Sequence, residues 1–115
     1  LARFWYLKAG AKEKIRATLS SPECRGSFVS EDEKKRYGID FPDDKFGEDI
    51  FLTDDGVQIE PCDLGVKALN GMHGFSPKAP NSYACLMSTR APRFEPQKVS
   101  DFFRLMKADV EESAK

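Results

Sequence analysis

The apolar positions change their spacing several times along the chain, and each change predicts an element. Phe4 to Leu7 is a compact aromatic run with strand propensity. From Ala11 to Leu19, Ile15 and Leu19 stand four apart, as on one helical face, and Pro22 stops that helix. Ser30 followed by Glu33 has the spacing of a capping box, in which each side chain satisfies a backbone N–H near the helix start, and Gly38 would end the short helix it opens. Asp40 to Gly47 is rich in Asp, Pro and Gly, with Phe41 and Phe46 as anchors, and reads as a loop pinned to the body by two aromatic rings. A hairpin is predicted next: Asp49 to Thr53 as one strand, Asp54-Asp55-Gly56 as the turn, and Val57-Gln58-Ile59 as the alternating partner.

Pro61 to Ser82 is a long irregular stretch rich in glycine and proline, of a kind that compact domains seldom keep without a functional reason. Tyr83 to Ser88 is an apolar run suited to a buried strand, with Cys85 as a small core residue. After the proline-punctuated connection from Ala91 to Pro96, Phe102, Phe103, Met106 and Val110 recur at helical spacing, giving a face expected to dock on a sheet. The fold class predicted is α/β, with residues 1–115 forming a single unit, a size at which one modest core can close.

Composition narrows the functional classes. An apolar share of 40% and a charged share of 32% suit a chain that folds in water. Eighteen basic against 19 acidic residues leave a net charge of -1, which offers no general attraction for a nucleic-acid polymer. The basic run Lys34-Lys35-Arg36 follows the acidic run Glu31-Asp32-Glu33, as on a solvated helix surface and not a phosphate-tracking stripe. No apolar stretch approaches the ~20 residues of a membrane helix, and the N-terminus lacks the pattern of a signal peptide. Cys24, Cys62 and Cys85 are odd in number and widely spaced, which predicts free thiols and neither a zinc knuckle nor a disulfide framework. Compartment stays open. The chain starts at Leu1, directly in an aromatic stretch, as expected of a piece of something longer.

The sequence holds no Walker-type glycine loop and no Gly-x-Ser-x-Gly elbow. With a single histidine, a catalytic triad or a multi-histidine metal cage must borrow groups from elsewhere. That histidine, His73, lies in Gly71-Met72-His73-Gly74-Phe75, where flanking glycines let backbone approach a ligand closely. Taken alone, a histidine in such a loop is more often an ordinary exposed or hydrogen-bonded residue than a ligand, although histidine is the commonest metal ligand.

The longer string from Gly71 to Met87, GMHGFSPKAPNSYACLM, resembles the late metal-ligand segment of the alkaline phosphatase superfamily, in particular its type I phosphodiesterase/nucleotide pyrophosphatase branch. The pattern there is Gly-x-His-Gly-Tyr, then a polar residue, a proline and a hydrophobic strand. Phe46 to Leu52 and Gly56 to Pro61 resemble the strands that precede it, and the final helix one that follows it. The resemblance implies the C-terminal part of an alkaline-phosphatase-like sheet with flanking helices and a hairpin, within a larger hydrolase domain. It implies His73 as one ligand of a two-metal site, usually zinc, whose other ligands and nucleophile lie outside this chain. The partners implied are the remainder of the parent hydrolase domain and a phosphoester substrate. Phe75 for the usual tyrosine is conservative, whereas Ser76 stands where aspartate or asparagine is frequent and alters the hydrogen bonding of the loop.

The chemistry agrees with that role. Paired cations neutralise phosphate oxygens, activate a hydroxyl and stabilise a leaving oxygen. One imidazole is short of the three or four protein ligands that zinc takes, so the isolated chain is expected to be catalytically silent. Phosphomonoesterase, phosphonate hydrolase and sulfatase activities share the scaffold and are alternatives, since fold does not choose among them. From another class comes a non-catalytic module binding through Phe4-Trp5-Tyr6 or the Phe41 and Phe46 loop, although such aromatics are more often core.

Overall fold

Three short strands, β1 (Ala2–Phe4), β2 (Gly26–Phe28) and β3 (Asp49–Thr53), form an antiparallel sheet in the order β1-β3-β2. The computed structural model describes all residues except 63–64, 72–73 and 114–115, and the chain falls into two compact units, Leu1–Tyr83 and Ala84–Lys115. The protein is mixed α/β, with helices α1 (Ala11–Leu19), α2 (Glu31–Tyr37) and α3 (Val99–Ser113).

In the first unit, β3 is central and buried because both of its edges are taken. Phe51 stands opposite Ala2 on one side and Phe28 on the other. Its ring meets Phe28 edge to face at 5.3 Å, and Ile50 and Phe51 are each only 2% exposed. Gly26 is required there: a Cβ on it would lie 2.7 Å from the Phe51 ring and 2.6 Å from the Leu52 carbonyl oxygen, so only a bare backbone fits. The apolar centre consists of Val29, Ile50 and Phe51, a small core for a unit of this length.

The helices start and stop where local chemistry predicts. The capping box of α2 is complete: the Glu33 backbone N–H donates to Ser30 Oγ at 3.3 Å, and the Ser30 backbone N–H donates to Glu33 Oε2 at 3.1 Å. Gly38 closes α2 in the left-handed region at φ 69, a conformation glycine adopts without steric cost. α1 ends at Leu19, and Pro22 opens a short 3-10 turn beyond it. Most charges of α2 face solvent, but Lys34 is a correction to the expected solvated surface. It is 5% exposed, with its ammonium donating to Glu31 Oε1 at 2.8 Å and to the Glu48 carbonyl at 2.7 Å.

Other expectations are also corrected. β1 stops at Phe4, and Leu7 N–H turns back to the Trp5 carbonyl. Residues Val57 to Ile59 form no strand: the turn does close, Val57 N–H donating to the Asp54 carbonyl at 3.0 Å, but β1 and β2 already occupy both edges of β3. Tyr83 to Ser88 is irregular and exposed, and so is the Cys85 thiol. A strand needs a neighbouring backbone to satisfy its amides, and the described residues of the unit Ala84–Lys115 include no other strand. In that unit α3 forms as expected, and Phe103, Met106 and Val110 on its apolar face are all more than half exposed. Among the described residues no helix is long and apolar enough to cross a membrane.

Candidate functional site

His73 and Met72 lie outside the described residues, as does Asp63, but the loop that carries them is described on both sides. Upstream, the Gln58 side chain amide bridges to the backbone of Leu69, its Nε2 donating to the Leu69 carbonyl at 2.6 Å and its Oε1 accepting from Leu69 N–H at 3.1 Å. Downstream, Gly74 has φ 94, in the region that favours glycine, and Phe75 is half-buried. Gly74 and Phe75 line a cavity of about 150 Å³ with Thr53, Gln58, Ile59 and Cys62. Farther on, Lys78 reaches Glu33 of α2 at 3.4 Å and Asn81 Nδ2 donates to Asp55 at 2.7 Å. A long, largely irregular loop is thus tied back on both sides of its Gly-x-His-Gly segment.

The donors described in this loop are few. Cys62 Sγ lies 3.9 Å from Glu60 Oε1, and Glu60 Oε2 is buried with no hydrogen-bond partner among the described residues. A carboxylate and a thiol fall short of the three or four protein ligands of a zinc site. Among the described residues no three His, Cys, Asp or Glu side chains gather as a metal-binding group. The described part of the chain does not by itself fit a zinc ion.

The strongest polar constellation is one that sequence reasoning missed. Asp49, at the start of β3, is 3% exposed. It accepts from Arg16 Nε at 2.6 Å, from a second Arg16 nitrogen, and from the Tyr6 hydroxyl. The Arg16 guanidinium also lies 4.9 Å from the Phe28 ring, while Lys12 covers Tyr6 at 5.3 Å. Hydrogen bonding to Arg16 holds the Asp49 carboxyl below its usual range despite burial. Burial, followed by the hydrogen bond to Asp49, pushes the Tyr6 phenol up to about 12. An anion held this firmly by a cation fastens α1 to the sheet and is poorly suited to act as a base near neutral pH. Its sequence signal was weak: an aspartate at a strand start, with partners 33 and 43 residues away.

The aromatic patch makes structural contacts yet stays partly open, with Trp5 45% and Phe41 49% exposed. Arg3 lies over both Trp5 and Phe46, at 5.5 and 4.9 Å, and Trp5 Nε1 donates to the Asp44 carbonyl at 2.9 Å. Phe41 and Phe46 meet at 6.1 Å. These contacts pin the loop from Asp40 to Gly47, as its composition predicts. No family model, curated protein or solved structure matches this chain.

Proposed function

We propose that this chain is the C-terminal portion of a metal-dependent phosphodiesterase or nucleotide pyrophosphatase-like hydrolase of the alkaline phosphatase type, to which it contributes His73 as a zinc ligand. The observation that carries the reading is the side-chain tethering of the described residues on either side of His73. A ligand must be held to within a fraction of an ångström, and irregular backbone achieves that only when fixed from both sides. Here Gln58 hydrogen-bonds the Leu69 backbone, Gly74 has a positive φ of 94, Phe75 is half-buried, and Lys78 and Asn81 pair with Glu33 and Asp55. On this reading the remaining ligands and the nucleophile come from the rest of the parent domain. In the assembled protein His73 would help hold the metal, which when bound would supply charge stabilisation at the phosphoester.

The test is made on the full-length protein whose reading frame contains this chain. His73→Ala is expected to release zinc and to lower hydrolysis of bis(p-nitrophenyl) phosphate by more than about 100-fold, since even outer-shell changes at metal sites cost 10–100-fold. The 115-residue chain alone should show no turnover above its own His73→Ala control. Retained zinc and activity in the full-length variant, or zinc-dependent turnover by the chain alone, would overturn the proposal.

A further inference from the structure

Glu60 stands apart from the other polar side chains, because its Oε2 is buried with no hydrogen-bond partner among the described residues. A buried carboxylate oxygen is costly unless something satisfies it, and a bound cation is one such partner. The other oxygen, Oε1, lies 3.9 Å from Cys62 Sγ. Two ligands of one tetrahedral zinc, a carboxylate oxygen and a thiolate, stand about 3.6 Å apart, so this pair is already close to ligand spacing. Cys62 is held in place, since its backbone and that of Gly65 exchange both hydrogen bonds at 3.0 Å. Its side of the chain also lines the cavity of about 150 Å³ that Gly74 and Phe75 share. That volume has room for an ion and a few waters, at roughly 30 Å³ for each water. Consecutive Cα atoms are about 3.8 Å apart, so the chain reaches His73 one step before the Gly74 that lines this cavity.

We infer that Glu60 and Cys62 join His73 in holding one zinc-like divalent cation, with a fourth position left open. The inference rests on the proposed role of His73 as a ligand and adds two donors that the resemblance does not imply. Carboxylate, thiolate and imidazole are all zinc ligands, and three protein ligands with an open position is the arrangement of a catalytic zinc. As the metal–sulfur bond forms, the Cys62 thiol gives its proton to solvent, so binding strengthens as pH rises. The parent domain then supplies the nucleophile and the ligands of the second ion.

The test titrates the 115-residue chain with cobalt(II), which occupies zinc sites and gives a thiolate-to-metal charge-transfer band when sulfur is bound. The wild type and Cys24→Ser/Cys85→Ser are expected to show the band at one equivalent and to lose it when zinc is added. Cys62→Ser should abolish the band, and Glu60→Gln and His73→Ala should each weaken cobalt binding by more than about tenfold. A measurement on the unaltered chain decides where a variant fails to fold: zinc should shield Cys62, and neither Cys24 nor Cys85, from alkylation, read by peptide mass. Absence of both band and shielding in the wild type, or full affinity in Cys62→Ser or Glu60→Gln, would sink the inference. The hydrolase reading survives that result if His73→Ala still releases zinc from the full-length protein. Conversely, if Glu60 and Cys62 bind cobalt and His73→Ala changes nothing, the ligand role of His73 fails and the three-ligand set falls with it.

Discussion

β3 and α3 are both rich in apolar residues, and they meet opposite fates. β3 lies between two strands, and four of its five residues are buried. α3 presents Val99, Phe103, Met106 and Val110 at a spacing of four, three and four, and all four are more than 60% exposed. Periodicity therefore says that an apolar face exists, while burial depends on whether a partner surface lies within the same unit. The polar residues teach the same lesson from the other side: Asp49 and Lys34 are buried because each has specific partners, Arg16 and Tyr6 for one, Glu31 and the Glu48 carbonyl for the other.

The sharpest way to break this comparison is Phe51→Ala. Phe51 fills the space left by Gly26 and meets the Phe28 ring edge to face, so truncation removes the largest element of a very small core. The expected loss is about 3–5 kcal/mol, enough to unfold a marginal unit outright. Trp5 is the only tryptophan and lies in the same unit, so its fluorescence during urea unfolding reports the effect. A loss below about 1 kcal/mol would mean that β3 is not where the unit is held.

Asp49→Asn should cost less, about 2–3 kcal/mol, because Arg16 is half exposed and water takes over part of its solvation. The pH profile identifies the group. The native carboxyl titrates below the ordinary aspartate value, so the unfolded chain takes up its proton first as pH falls. The stabilisation is fully present above about pH 4, the ordinary aspartate range, and is lost as pH drops through the lower native value. At the alkaline end the sign reverses. The Tyr6 phenol is raised to about 12, so its contribution is complete below the unfolded value of about 10 and is lost as pH rises towards 12. Urea midpoints measured against pH should fall at both extremes for the wild type. Both slopes should flatten in Asp49→Asn, the alkaline one only in part, because burial of Tyr6 remains the larger cause of its shift.

What was legible in the sequence was what neighbouring residues decide. Ser30 and Glu33 fixed the start of α2, Gly38 its end, and Ala11 to Leu19 was readable as a helix to the residue. The pairing of strands was not legible, because it depends on which edges remain free. Val57 to Ile59 has the alternation of a strand and no edge to join, whereas Gly26-Ser27-Phe28 has a glycine start, only three residues, and an edge waiting for it. Tyr83 to Ser88 failed as a strand for the same want of a partner. Of the candidate site, the loop and its glycines were legible as places where backbone must do something unusual, and Gly74 does so. The tethers through Gln58, Lys78 and Asn81 were not, since each joins residues 11 to 45 positions apart by a single side chain.

The smallest expected effect sharpens the comparison most. Phe103 is 67% exposed on α3, and serine has nearly the same helix propensity as phenylalanine. If the outer face of α3 is bare in this chain, Phe103→Ser removes little buried area and opens no cavity, and the helix signal should melt within about 0.5 kcal/mol of the wild type. The same chemical change at Phe51 would be ruinous, so the pair isolates burial from residue type. A cost of 2 kcal/mol or more at Phe103, on the scale of about 3–5 kcal/mol for deleting a buried phenylalanine, would show that another surface covers this face in solution. Repeating the measurement over a range of protein concentrations separates the sources, because cover by a second copy weakens on dilution and cover by the same chain does not.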